Sequence, residues 1–190
     1  MKQVTGWWFV PQDRKLANGD GRKIKLGITH SLYGKIIPCD YGLHLSKRPI
    51  DALRHAQSSI IYKVVGSGII VPHGNPVDKY ACSRRKYVAG GIDISDTLRH
   101  FARLCALDVI HIWDPPEVVV DYLNTGNEKI RDAARAWDAA WDAAMAAEWA
   151  SEMKDEDDSV IYGAAWDAAW EKQHKRLLKM VKEAIKKDGE

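Results

Sequence analysis

The 190-residue sequence is poor in cysteine and lacks the spacings in which cysteine usually binds metal. Its three cysteines, Cys39, Cys82 and Cys105, are an odd number, and none forms a CxxC pair. This predicts neither a disulfide framework nor a structural zinc site. The pairs Cys39/His44 and His73/Cys82 are also spaced more widely than metal ligands usually are. We therefore expect no metal site, and the sequence predicts no cofactor.

The sequence also lacks any long apolar run. No segment approaches the roughly 18 apolar residues of a membrane span, and the first residues, MKQVTGWW, have no signal-peptide core or cleavage site. With 46% hydrophobic and 28% charged residues, the composition is that of a globular protein. A cytoplasmic protein without a membrane partner is expected.

Acidic residues are scarce in the first half of the chain. Residues 1–94 carry 15 Lys/Arg against 6 Asp/Glu, a net charge of +9, whereas residues 95–126 carry 2 against 5 and residues 127–160 carry 4 against 10. Such asymmetry predicts an anionic ligand or partner for the first part of the chain. A basic surface that is merely solvated is the alternative. Nothing in the sequence indicates nucleic acid specifically, although the charge leaves it open.

The first 94 residues contain short extended segments. Val4 to Val10 (VTGWWFV), the turn residues Asn18 to Gly21 and the segment Lys23 to Ile28 together predict an opening hairpin. Ser59 to Val65 predicts a buried strand, followed by a turn at Gly66 to Gly68 and by Ile69 to Val71 as the continuation or the partner of that strand. This part of the chain is therefore expected to be rich in β-structure to about residue 94.

Helical spacing begins at residue 96. Apolar residues recur every three or four positions behind Ser95, a candidate N-cap. Pro115 and Pro116 then stop this helix and start another, Glu117 to Leu123, which Gly126 ends. The fold class predicted is α+β: a basic domain over residues 1–126, β-rich to about 94 with helices over 96–123.

Two similar Ala/Trp/Asp blocks lie in residues 127–190. They are AWDAAWDAA at 136–144 and AAWDAAWE at 164–171, separated by an acidic break at 155–158. Alanine favours helix, and equal lengths across a short break favour an antiparallel helical hairpin. Five Trp in 34 residues are more than one such pair can bury, so we expect the hairpin to dock on its own domain or on a second copy. A solvated, recently duplicated helix is the alternative.

The segment Tyr41 to Gly68 carries a resemblance to a known family. Its order is Gly, apolar, His, apolar, Ser, followed by a short helix and an apolar strand that ends in Gly. This resembles the second signature of ADP-ribosyltransferase-like folds. The resemblance implies a nicotinamide dinucleotide pocket in which His44 stacks on the nicotinamide and Ser46 lies beside it.

A second resemblance spans nearly the whole sequence, from GWWF through the segment WDPPEVVVDYLNTGNEKIRDAARAWDAA. The chain is similar to a bacterial and phage family that pairs a small "GLH" domain with Ala/Trp/Asp-rich helical tails. This implies a phage or mobile-element setting and brings no assigned activity.

The residues of segment 83–94 (SRRKYVAGGIDI) bear on whether the protein binds a ligand or also catalyses a reaction. Arg84, Arg85 and Lys86 offer donors suited to phosphate, although an exposed strand end would explain them equally well. The segment contains no Glu, the residue that polarises a ribose hydroxyl in active transferases of the resembled kind, and Asp93 is shorter by one methylene. We therefore expect binding rather than efficient catalysis.

Three classes of function are open at this point. The first is a phage or mobile-element accessory protein that binds a nucleotide-like anionic ligand or a host defence protein. The second is an active ADP-ribosyltransferase-like enzyme using His44 with Arg84 or Asp93, since a variant of that fold acting on RNA phosphates uses His and Arg. The third is a pure interaction or inhibitor module that forms homo-oligomers through the helical hairpin.

Overall fold

A computed structural model describes residues 2–16, 20–112, 114–131 and 159–189 of the chain. The strands and helices follow in chain order: β1 (Gln3–Val10), β2 (Thr29–Ser31), β3 (Leu43–Leu45), α1 (Pro49–Leu53), β4 (Ile60–His73), β5 (Lys79–Asp93), α2 (Ser95–Val109), α3 (Glu117–Thr125) and α4 (Ser159–Asp188). A single 3-10 turn, Ile110–Ile112, follows α2. The predicted α+β class is confirmed.

One antiparallel sheet organises the first part of the chain. Its strand order is β1-β4-β5-β2, and β3 pairs with β5 beyond the end of β2. The long β4–β5 hairpin runs from the pair Ile60 and Asp93 to the pair His73 and Lys79. β2 and β3 therefore lie one after the other along the edge of β5 that β4 does not occupy.

The predicted opening hairpin is wrong in its pairing. The strand at Val4 to Val10 exists as β1, but it pairs with β4, from Gln3 opposite Ser67 to Val10 opposite Ile60. Residues 23–28 form no strand: Lys23 makes an isolated bridge to Lys15, and Gly27 and Ile28 exchange backbone hydrogen bonds with Tyr87 of β5. The segment bends at Gly27, which has a φ of 82°, and buries Ile24 as its one core residue. It therefore lacks the alternating apolar face with which β1 packs on the sheet.

The predicted turn at Gly66 to Gly68 is a bulge inside β4. The register with β5 shifts between Ser67 and Ile70, and the strand then continues to His73. Gly66 packs so closely that an added Cβ would lie 2.5 Å from both Cys82 Sγ and a Leu45 methyl. Glycine at this position lets β3 and β5 approach β4.

The described residues form two compact units. One consists of Met1–Leu98 with His174–Glu190, and the other of Arg99–Gln173. The core of the first unit contains apolar side chains from β1, β3, β4 and β5, among them Val10, Leu45, Val64 and Tyr87. The end of α4 belongs to the same unit: Leu177 and Val181 are fully buried, and Ile185 lies against Gly90 of β5.

The second unit includes α3, whose end follows the prediction. Gly126 caps the helix in the left-handed conformation with φ 66°, and its N–H donates to the Tyr122 carbonyl. Phe101 of α2 and Val119 of α3 are buried. The second helix of the predicted hairpin is α4, whereas most of the first helix, with Trp137, Trp141 and Trp149, lies outside the described residues. Among the described helices, none combines the length and apolar character needed to cross a lipid bilayer.

Candidate functional site

The first unit contains a cavity of about 470 Å³, lined by residues of the sheet and of its loops. Trp8 of β1, His44 of β3 and Arg85 of β5 line it together with loop residues that include Cys39 and Tyr41. Three strands thus contribute to the lining, β3 with Leu43 as well as His44. The volume is within the range of pockets that hold small-molecule ligands.

Arg85 is a buried cation on the wall of this cavity. Its side chain is 2% exposed. The Tyr87 hydroxyl accepts hydrogen bonds from Arg85 Nε at 3.2 Å and Nη2 at 2.8 Å, and the His44 carbonyl accepts one from Nη1. The guanidinium also lies 5.0 Å from the Trp8 ring centroid and 5.2 Å from that of Tyr87. These contacts fix the plane of the guanidinium.

Arg85 pairs with no carboxylate among the described residues. Two carboxylates, Asp20 and Asp40, also line the cavity, but neither forms an ion pair with Arg85. Arg22 binds both oxygens of Asp20 and holds the pKa of that carboxyl below its usual value. Burial lowers the pKa of Arg85, yet a guanidinium stays protonated in proteins. The hydrogen bonds to described residues use three of its five N–H groups. A buried positive charge without a counter-ion therefore borders the cavity, which favours an anion there.

His44 contributes a neutral ring to the same site. Burial, followed by the nearby charges of Lys79 and Arg85, lowers its pKa to about 4. Its Nε2 accepts a hydrogen bond from the Cys39 N–H at 3.2 Å, so the single proton of the neutral ring is on Nδ1. The His44 ring centroid is 6.0 Å from that of Trp8, with the planes tilted by 32°. His44 and Trp8 thus give the cavity an aromatic wall.

The predicted site residues separate into two groups. His44 and Arg85 line the cavity together. Arg84 and Lys86 are exposed on the other face of β5, because successive residues of a strand point to opposite sides. Ser46 is buried, and its backbone exchanges hydrogen bonds with Trp7 at 2.8 and 3.0 Å. Ser46 therefore joins β1 to the end of β3 and does not line the cavity.

Asp93 serves as a helix cap. Its carboxylate accepts a hydrogen bond from the Ser95 N–H at 2.8 Å, where α2 begins. Asp93 is not among the residues that line the cavity.

Sequence reasoning missed Trp8 and Tyr87. Tyr87 belongs to the same alternating set as Arg85, and a strand assigned over 83–87 would have placed both side chains on one face. Trp8 is half-buried and follows the buried Trp7, and the sequence of two adjacent tryptophans did not indicate which of them lines the cavity.

A further cluster lies at the rim of the cavity. Cys39 Sγ is 3.4 Å from His73 Nε2, and the Lys79 ammonium donates a hydrogen bond to the same sulfur at 3.2 Å. Among the described residues, no three His, Cys, Asp or Glu side chains are arranged to hold a metal ion. Comparison of the chain with protein-family models, curated proteins and solved structures finds no match.

Proposed function

We propose that the protein binds a small nucleotide-like anion in the cavity bordered by Trp8, His44 and Arg85. The observation that carries the proposal is Arg85, a cation 2% exposed that has no carboxylate partner among the described residues. A phosphate oxygen would take the N–H groups that remain, in charge-assisted hydrogen bonds. The positive charge of Arg85 therefore favours a ligand with a phosphate group over an uncharged, apolar ligand.

The aromatic wall supports the nucleotide-like part of the proposal. Trp8 is half-buried at the cavity, and the neutral His44 ring lies beside it. A base or nicotinamide ring can stack on such a wall, while Arg85 holds the phosphate. This assignment gives His44 the position that the resemblance to ADP-ribosyltransferase-like folds implies for it.

Efficient ADP-ribosyl transfer is not part of the proposal. The segment 83–94 provides no Glu, and Asp93 is engaged as the cap of α2. Without the Glu that stabilises the positive charge developing on the ribose in the resembled enzymes, the rate should fall by about a hundredfold or more. We propose a binding protein, and the resemblance to the phage family suggests an accessory role in a phage or mobile element.

The test is a thermal-shift screen followed by titration calorimetry. Dinucleotides, cyclic nucleotides, short RNA and inorganic phosphate are compared, because a ligand that binds the native state raises the melting temperature. Any nucleotide that raises it is then titrated into wild type, Arg85→Lys and the matched control Arg84→Lys. Lysine keeps the charge at both positions but loses the planar fork of donors.

We expect Arg85→Lys to weaken binding by about tenfold or more, and Arg84→Lys to leave it unchanged. Circular dichroism checks that both variants are folded. Equal affinity of the folded Arg85→Lys variant and wild type would move the anion site away from the cavity. A larger loss in Arg84→Lys would place the site on the exposed face of β5.

A further inference from the structure

The cluster at the cavity rim joins a thiol, an imidazole and an ammonium group. Cys39 is exposed, with its sulfur 3.4 Å from His73 Nε2 and 3.2 Å from Lys79 Nζ. His73 and Lys79 face each other as the last register pair of the β4–β5 hairpin. This pair of opposite residues therefore places the imidazole of His73 and the ammonium of Lys79 against the same sulfur.

Lys79 is buried, with 9% of its surface exposed. No carboxylate among the described residues forms an ion pair with it, and the sulfur of Cys39 is the acceptor of its ammonium hydrogen bond. A buried ammonium without a carboxylate favours negative charge on the atom that it contacts. As Cys39 reacts, its sulfur is the nearest place where such charge can develop.

The backbone holds Cys39 in a fixed position. Its φ is 68°, in the left-handed region that non-glycine residues seldom adopt, and its N–H donates to His44 Nε2. The Tyr41 N–H closes the same loop on the Ile37 carbonyl at 2.8 Å. Cys39 is also one of the residues that line the cavity.

We propose that Cys39 is a nucleophilic thiol, and that the cavity rim is a site of covalent modification by small carbon electrophiles that carry a leaving group. His73 Nε2 accepts the proton of the thiol, and the sulfur electron pair forms a bond to the electrophilic carbon. The bond between that carbon and its leaving group breaks, and the group departs with the bonding electrons. Lys79 stabilises the charge on sulfur during the step. This function goes beyond anion binding by Arg85.

The other cysteines provide an internal comparison. Cys82 is fully buried, and burial raises its pKa to about 11, so it stays a thiol that solvent does not reach. Cys105 is partly buried on α2. Cys82 therefore does not duplicate the surroundings of Cys39.

The experiment measures alkylation of the full-length protein by iodoacetamide. In this reaction the sulfur–carbon bond replaces the carbon–iodine bond, and iodide leaves. Tryptic peptide 36–47 contains Cys39 as its sole cysteine, so mass spectrometry follows this thiol alone. The rate is compared with that of the same peptide in the urea-unfolded chain, and glutathione in both buffers corrects for the effect of urea.

An exposed but ordinary thiol reacts at most as fast in the folded protein as in the unfolded chain. We expect Cys39 to react about tenfold faster when folded, and His73→Gln to remove most of this gain. His100→Gln, which changes an exposed histidine on α2, is the matched control and should keep the wild-type rate.

Lys79→Met is the second variant and should slow the reaction as well. His73 is exposed, so His73→Gln keeps the inference testable even if Lys79→Met fails to fold. A folded wild-type rate no greater than the unfolded rate would overturn the inference. So would a folded His73→Gln variant that reacts as fast as wild type. Anion binding is measured without alkylation, so each proposal can fail while the other stands.

Discussion

Arg85 and His44 lie side by side in the cavity and carry different charges at neutral pH. Arg85 is a buried guanidinium that stays protonated, whereas burial and two neighbouring cations keep the pKa of His44 at about 4. The imidazole can therefore accept a hydrogen bond from the Cys39 N–H without adding positive charge beside Arg85. The buried guanidinium of Arg85 thus lies next to a neutral ring, an arrangement suited to a ligand with both an anionic and an aromatic part.

Acid should destabilise the fold through His44. In the unfolded chain a histidine has a pKa near 6.5, and in the folded protein that of His44 is about 4. Above pH 6.5 both states are neutral and His44 adds no pH dependence. As the pH falls from 6.5 to 4, His44 binds a proton in the unfolded state but stays neutral in the folded state. The free energy of unfolding therefore decreases over this range. Burial also lowers the pKa of His30 and His55, which act in the same direction.

The prediction is tested by urea unfolding of wild type and His44→Gln at pH 7.5 and pH 5. Glutamine keeps an acceptor for the Cys39 N–H but does not titrate. We expect wild type to lose more stability on acidification than the variant, by on the order of 1 kcal/mol, since solvent screens a half-buried ring. Parallel pH profiles for the two proteins would contradict the pKa assigned to His44.

The sequence identified Arg85 but could not separate it from Arg84. Strand periodicity places 83, 85 and 87 on one face and 84, 86 and 88 on the other. Both faces carry an apolar residue, Tyr87 on one and Val88 on the other, so hydrophobicity did not reveal which face was buried. The structure decides this through the pairing of β5 with β2 and β3, which are contacts between residues far apart in sequence.

At the scale of elements, local signals predicted helices better than strand partners. The proline pair before α3 and Gly126 after it fix that helix by backbone geometry alone. The pairing of β1 with β4 joins residues that are fifty or more positions apart, for which no local rule exists. A turn signal near residue 20 favoured the nearer partner, and the prediction of the opening hairpin was wrong for that reason.

The last turns of α4 should contribute to the stability of the first unit. Leu177 is fully buried, whereas its neighbour Leu178 is only partly buried. We expect Leu177→Ala to lower the free energy of unfolding by about 2–5 kcal/mol, because it removes buried apolar surface and leaves a cavity. Leu178→Ala, the same substitution one position along, should cost clearly less. Chemical denaturation of the two variants compares them, and equal losses would contradict the packing of α4.

At the scale of the whole molecule, charge is distributed unevenly along the chain. Residues 1–94 have a net charge of +9, counted as 15 Lys/Arg against 6 Asp/Glu, while the total for the protein is +2. The cavity belongs to the basic part of the chain. An anion that approaches Arg85 is therefore attracted by more cations than the one it contacts.

Binding of a nucleotide should weaken as salt rises. Exposed cations lose their attraction as the screening length shortens from about 10 Å at 0.1 M salt to about 3 Å at 1 M, whereas the buried Arg85 contact is screened less. We expect a several-fold rise in the dissociation constant over this range with part of the affinity retained at high salt. Calorimetric titration at three sodium chloride concentrations measures it. An affinity independent of salt would argue that the ligand is held by apolar contacts alone.

The burial of Leu177 and Val181 also has a consequence for the order in which the protein is made. These residues belong to the compact unit formed by Met1–Leu98, yet the ribosome synthesises them after all of Arg99–Gln173. During translation the strands can pair before the end of α4 exists, and the apolar surface that this helix later covers is then open to water. Completion of this core must wait for a late segment of the chain, and during that interval a chaperone or a second nascent chain could contact the same surface.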